Sequence, residues 1–537
     1  MCGVSLMAPE SGEQAESSPS RFRNDDPAPS DGLSQRLVPP MPTGGWRGWL
    51  GPLTVTLIAA VLRIVDLGRP HAVAFDETYY MKDGLSLLLF GYERQAVDGA
   101  DKSILSTGGS PDGLESVFNP NASFVVHPPL GKWIIGAGEH IFGVTPFGWR
   151  IGVAVLGILS VLAVARIVRR LTRSNLIGTL AGFLLAIDGL AIVMSRTALL
   201  DNCLMFFVVL AFGALLLDRD RTRAKLAALG ETTSALGPML WWRPWRIVAG
   251  VCLGLACGVK WSGLYFIVAF GLLTVLWDVG SRRIIGVRMP FRAMLVRDAI
   301  PAFLSIVGIA LVAYLATWTG WFITDGGWDR NWAATAEGSG PSWIPESLRS
   351  LWHYHAEAWS FHTSLESDHA YEANPWGWPV QARPTSFFYE SPNGVCGADK
   401  CAQEVLALGN PLIWWAATAA MVHQAWRWIG RRDWRSGAVL CGFAAGWVPW
   451  LFFENRTIFS FYSIAFLPFM VMALALSLGV LLGPADAPGN RRIIGSVVVG
   501  SFLVLAIATS WFFYPIWTGD PIPYDAWNLR MWFPSWV

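Results

Sequence analysis

The sequence predicts an all-α protein that crosses a membrane many times, and two observations predict it. Of 537 residues, 53% are hydrophobic and only 15% charged, too little charge to coat a water-soluble core. The apolar residues also fall in runs of about twenty, the length that crosses roughly 30 Å of hydrocarbon as a helix. A net charge of +1 gives no reason to expect nucleic acid as a partner.

Residues 1–45 stand apart. The stretch SGEQAESSPSRFRNDDPAPSDG is rich in Ser, Pro and charge, so it buries too little apolar surface to fold alone. It has no short apolar core followed by a small-residue cleavage site. The reading is a disordered cytoplasmic tail, followed by a first span that acts as an uncleaved anchor.

Apolar runs then begin near Leu53, Ile151, Leu176, Leu199, Ile247, Leu264, Ile300, Pro411, Gly437, Ile458 and Ile494, giving about eleven predicted spans. The Ile247 and Leu264 runs are divided at Gly258-Val259-Lys260-Trp261-Ser262-Gly263. An unbroken helix would put Lys260 in mid-bilayer at a cost of about 3 kcal/mol, whereas a tight hairpin brings it to the surface. Arginines collect in every second loop: after Arg166, around Arg219 to Arg246, around Arg282 to Arg297, from Arg427 to Arg435, and at Arg491 and Arg492. Basic residues favour the cytoplasmic side, so the N-terminus is expected inside and the C-terminus outside. The two long loops, 68–148 and 319–408, then share the outer face. Matching broken segments in two halves, which a carrier tends to show, are not seen; a transporter or flippase remains an alternative.

The first long loop carries Phe75-Asp76-Glu77-Thr78-Tyr79-Tyr80. An acid pair there is either a polar loop start or a working pair, and aromatic neighbours would hold it at the interface, where a carboxylate can take a proton from an alcohol. The loop closes on His127-Pro128-Pro129-Leu130-Gly131-Lys132-Trp133. The double proline precedes an expected amphipathic helix from Lys132 to Phe142, lying on the membrane with Trp133, Ile134, Ile135 and Ile141 down. Lys132 and His127 would then sit at headgroup depth, unless Lys132 merely snorkels.

Further cations fall at the outer ends of spans. Arg150 opens the second span and Arg196 closes the third, and the planar guanidinium fork suits phosphate. Asp188, Arg196 and Asp201 flank one short turn, where a structural Arg–Asp pair is the default alternative. Lys260 and Arg456 add two more. The second loop holds His353, His355, His362, His369, Trp376 and Trp378, which suit hydrogen bonding and stacking on a sugar or peptide better than metal ligation. Neither a metal nor another cofactor is expected. Cys396 and Cys401, five apart in the outer loop, are candidate disulfide partners in an oxidising compartment.

Four stretches in order (Asp76-Glu77, His127 to Lys132, Ser195 to Asp201, and Val259 to Gly263) resemble the protein O-mannosyltransferases of the C-type (GT-C) glycosyltransferase superfamily. The resemblance covers the chain from about Leu50, so that residues 46–537 form one GT-C transmembrane catalytic domain. The second outer loop has only about ninety residues and no β-trefoil insertion, similar to the actinobacterial members. The resemblance implies an inverting enzyme of the plasma membrane whose site faces away from the cytoplasm. It would move mannose from polyprenyl-phosphate-mannose to Ser or Thr of proteins at the secretion channel. It assigns Asp76 as general base and Glu77 as its support. Arg150 maps to a family arginine, and Lys132, Arg196, Lys260 and Arg456 are carried over as phosphate ligands. His127, Asp201, His362, His369 and Trp378 are expected to position substrate. The alternative within the superfamily is a polyprenyl-phosphate sugar transferase with a lipid or cell-wall glycan acceptor.

Overall fold

Helices occupy or directly follow every one of the predicted apolar runs in a computed structural model, which describes residues 29–42, 45–110, 113–335, 338–484 and 486–537. Among these residues six helices are long and apolar enough to cross a bilayer: Arg47–Ile64, Pro146–Thr172, Asp201–Leu229, Gly263–Ile284, Pro290–Thr317 and Gly489–Thr518. The pair Asn175–Ile187 and Gly189–Arg196, bent by 60°, counts as a seventh if taken as one span. Pro244–Val259 and Leu467–Leu482 are apolar but shorter, with 16 residues each. The chain is a multi-pass membrane protein.

Polar groups explain the bend. Arg63, 1% exposed, donates to the carbonyls of Leu185 and Ala186, which the ending helix leaves without partners. Asp188 accepts from the Ala191 amide and so starts the next helix; its second oxygen takes the Asn410 amide and the Trp414 indole. The Asp201–Leu229 helix is the centre of the bundle, with 78% of its most apolar window buried in protein.

One expectation is extended and three change. The helical reading holds for most of the chain but is joined by two small antiparallel sheets: Arg94–Ala96 with Phe118–Ala122, and Thr385–Glu390 with Cys401–Ala407 and Ile522–Pro523. Both lie in or beside the long loops, where no apolar period announces them. The end of the tail is not structureless, since Pro29–Leu37 is a helix. Leu33 and Leu37 pack on Leu226, Ile285 and Val287, and Arg223 donates to the carbonyls of Arg36 and Leu37 at its C-terminal end. Residues 1–28 lie outside the described residues. The run near Ile458 begins as a 3-10 turn, Ser460–Ala465, and its helix starts only at Leu467. Lastly, the Leu130–Phe142 helix is packed into protein: Ile135 and Lys132 are fully buried, and Ile141 and Phe142 are the exposed apolar residues.

Candidate active site

The site is built around a carboxylate sealed inside the protein. Glu77, completely buried, opens the Glu77–Phe90 helix. Its Oε1 accepts from Arg150 Nε (2.7 Å) and the Ala198 amide (2.9 Å). Its Oε2 accepts from Arg150 Nη2 (2.8 Å) and the Ala74 amide (2.9 Å). Arg150 spends its remaining donors on the carbonyls of Leu67, Pro70 and Ala72. One ion pair thus ties together the Pro146–Thr172 helix, the loop leading to residue 76 and the turn after Arg196. A bidentate pair buried with every donor and acceptor used is the arrangement in which such a pair holds geometry.

Asp76 is the residue this framework presents. It sits at the N-cap of the same helix, yet its carboxylate makes no capping bond. Burial pushes it up to about 6, the Lys260 ammonium pulls it down and the Asp201 carboxylate raises it again. Phe75, just before it, has φ of 49°, a left-handed conformation unusual for a bulky side chain. The Phe75 ring is boxed by Phe387 (5.1 Å between centroids), Phe459 (5.7 Å), Phe461 (5.8 Å) and His369 (6.1 Å). That packing offsets the strain and fixes where Asp76 points.

Lys260 lies in the hairpin between Pro244–Val259 and Gly263–Ile284. The division is as expected, but the side chain is buried rather than at the surface, 7% exposed. It donates to Asp201 Oδ1 at 2.9 Å and rests 3.9 Å above the Tyr462 ring, so an acid and an aromatic face replace water. Arg456 Nη2 donates to His362 Nδ1 at 3.1 Å, and His362 Nε2 donates to the Val126 carbonyl at 3.1 Å. That pairing fixes the neutral tautomer of His362, which burial and then Arg456 push down to about 4. His127 packs against His362, with centroids 5.3 Å apart. Burial and then the nearby cations, Lys260 first, hold it well below the usual imidazole range, and its Nδ1 is buried without a partner among the described residues.

These four side chains, His127, Lys260, His362 and Arg456, line the polar end of a cavity of about 900 Å³. Much of the rest of its wall is apolar, including Leu264 and Ile267 from one span and Val307, Ala310 and Leu311 from the next, with Ser262, Tyr314, His355 and Thr363 as further polar lining. An anionic head with a long hydrocarbon tail matches that division of polarity.

Other sequence candidates fall elsewhere. Lys132 is sealed against Glu93 (2.5 Å) and Asp83 (3.8 Å) and is fully buried, so its ammonium is spent on protein carboxylates. Arg196 donates to the carbonyls of Arg63, Val65 and Asp66, and thereby caps the first span. Asp201 pairs with Lys260 rather than Arg196. Trp378, 1% exposed, bonds the Ala373 carbonyl within the core and offers no free face. His369 is exposed and sits edge-on to Phe75 and Phe459. Cys396 and Cys401 form a disulfide. Sequence reasoning missed Tyr462 and the Phe75 box; the only signal was the aromatic run Phe459-Ser460-Phe461-Tyr462.

Comparison with known proteins bears on the family and the fold. Residues 53–319 match the family model described as dolichyl-phosphate-mannose-protein mannosyltransferase. Residues 347–536 match the C-terminal four-transmembrane region of protein O-mannosyltransferase. The polyprenol-phosphate-mannose–protein mannosyltransferase of Mycobacterium tuberculosis is 39% identical over 91% of this chain and 92% of its own length. That of Mycolicibacterium smegmatis is 37% identical over 95% and 99%. In fold, the chain resembles the S. cerevisiae protein O-mannosyltransferase complex bound to the sugar donor (TM-score 0.68, 15% identity, 95% of this chain and 94% of that one). It also resembles ArnT from Cupriavidus metallidurans bound to undecaprenyl phosphate (TM-score 0.50, 15% identity, 91% and 77%).

Proposed function

Since the chain belongs to the dolichyl-phosphate-mannose–protein mannosyltransferase family, we propose how its site carries out that transfer. Mannose passes from a polyprenyl-phosphate donor to a Ser or Thr hydroxyl of a protein. The observation that carries this reading is the placement of Asp76. It is a carboxylate unspent on capping, close enough to feel Lys260 at the polar end of a lipid-shaped cavity.

The donor phosphate lies against Lys260 and Arg456, with the polyprenyl chain along the apolar wall. The acceptor oxygen attacks the anomeric carbon from the side opposite the phosphate, so configuration inverts. The bond to the phosphate oxygen breaks, and the charge growing there is offset by cations already held in place by Asp201, Tyr462 and His362. Asp76 takes the hydroxyl proton late, as bond formation makes it acidic. Neutral His127 and His362 add hydrogen-bonding capacity without adding charge. Lys132, Arg150 and Arg196 are occupied by protein partners; their part is to hold the framework.

We place the site on the outer side of the plasma membrane, with the N-terminus cytoplasmic and acceptors met as they leave the secretion channel. The alternating basic loops support this orientation. The test is transfer of labelled mannose from polyprenyl-phosphate-mannose to a Ser/Thr/Pro-rich peptide by the purified protein. Label in the peptide that vanishes in Asp76→Asn supports the reading. Label appearing only in lipid or glycan overturns the protein acceptor.

A further inference from the structure

A second charged site stands at the other end of the bundle. Along the Asp201–Leu229 helix, Arg219 comes eighteen residues after Asp201, about 27 Å away at helical rise and thus across most of the hydrocarbon thickness. Its side chain is 8% exposed, and its guanidinium stacks 3.4 Å above the Trp434 ring. Arg173, Arg223 and Arg435 surround it closely enough to repel it. Among the described residues its one ion-pair partner, Asp220, is 3.7 Å away and already accepts from Arg170 (2.6 Å) and Arg173 (3.0 Å). Neighbouring acids are also used: Asp218 and Asp278 hold Arg243, and Asp433 holds Arg427. The Nε atoms of Arg219 and Arg435 are both buried and have no partner among the described residues.

Arg219 is thus buried with a carboxylate at 3.7 Å that two other arginines share, and too little counter-charge around a buried guanidinium is costly. The aromatic residues at this level, Trp426 and Trp428, are half exposed, as side chains at a membrane interface are. We propose that Arg219 and Arg435 form a binding site for the phosphodiester headgroup of an anionic phospholipid, beside Trp434 and between the Pro146–Thr172, Asp201–Leu229 and Trp434–Trp447 helices. Basic pockets between helix ends are suited to such headgroups, and the guanidinium fork to their paired oxygens. The site is separate from the donor cavity and takes a lipid that carries no sugar.

The test uses the full chain in phosphatidylcholine nanodiscs with or without phosphatidylglycerol, read by thermal midpoint and by native mass spectrometry of retained lipid. Wild-type protein should retain about one phosphatidylglycerol per chain and melt higher in its presence, as a ligand of the folded state requires. Arg435→Gln, at a partly exposed position, should lower retention about tenfold, the loss of one charge-assisted hydrogen bond. Arg219→Gln should do the same, and exposed Arg431→Gln should not. Equal loss in Arg431→Gln, or undiminished retention in Arg435→Gln, overturns the site. A midpoint shift reproduced by inorganic phosphate alone also overturns it, leaving an adventitious ion only.

Discussion

Glu77 and Arg150 face each other through two hydrogen bonds of 2.7 and 2.8 Å, with neither side chain more than 1% exposed. Removing one partner leaves the other charged and buried, which costs about 3–5 kcal/mol. Arg150→Ala should therefore lower folded yield from membranes as well as activity. Arg150→Lys keeps the charge but loses the fork, so it should fold better than Arg150→Ala and still transfer poorly. Folded fraction by gel filtration, beside specific activity, separates the two effects.

Asp76→Asn should leave donor binding nearly intact and abolish transfer. As base, Asp76 works ionised, so kcat/KM for the wild type should fall about tenfold per pH unit below about 6, the value to which burial raises it. The stability consequence has the opposite sign. A carboxyl whose folded value is raised favours the folded state while protonated, and that contribution is lost as pH climbs from about 4 to about 6. Asp76→Asn does not titrate, so its melting advantage over wild type should widen across that window.

Lys260→Met and Arg456→Gln should weaken donor binding by about 10–100-fold each, the scale of a hydrogen bond to a charged group. Binding of a non-transferable polyprenyl phosphate, measured on purified protein, checks this. Equal loss in Lys132→Met would show that Lys132 acts beyond its ion pair with Glu93.

Tyr462 holds Lys260 by its ring face at 3.9 Å. Tyr462→Phe keeps that face and should bind donor nearly normally. Tyr462→Leu removes it, and with it about 0.5–2 kcal/mol, so donor affinity should drop measurably while the peptide KM stays unchanged.

Phe75 offers a test of backbone strain. Phe75→Ala loses the aromatic box, at about 3–5 kcal/mol, and keeps the strain. Phe75→Gly loses the same contacts but adopts φ near 49° freely. Glycine should therefore be the milder replacement by about 1 kcal/mol, visible in thermal midpoints.

The six long membrane helices were legible because a span needs about twenty apolar residues in a row, a pattern that depends only on the neighbours in sequence; the shorter apolar helices, of 16 residues, fall below that length. Asp76 and Glu77 were legible as a pair, and the resemblance told them apart; the structure adds the physical difference, four hydrogen bonds on Glu77 against a carboxylate left open on Asp76. The partners of the cations were not legible. Lys132 and Lys260 look alike in sequence, both basic and both beside a tryptophan, yet Glu93 seals one and Asp201 turns the other toward the cavity. Those partners lie 39 and 59 residues away, and long-range pairing leaves no mark on local composition. Trp378 misled for a related reason: tryptophan serves a sugar face and a core equally well.

The donor cavity has one more consequence. Leu264 and Leu311 in its wall are each more than half exposed on the flank of the bundle, so its tail end borders the hydrocarbon instead of water. On the proposed reading of this cavity, a polyprenyl donor is expected to reach the site by diffusing sideways within the leaflet. The quantity that saturates the enzyme is the donor's mole fraction in the bilayer, not its bulk molarity. Diluting a fixed amount of donor with inert phospholipid should slow transfer, while diluting the whole suspension with buffer should not.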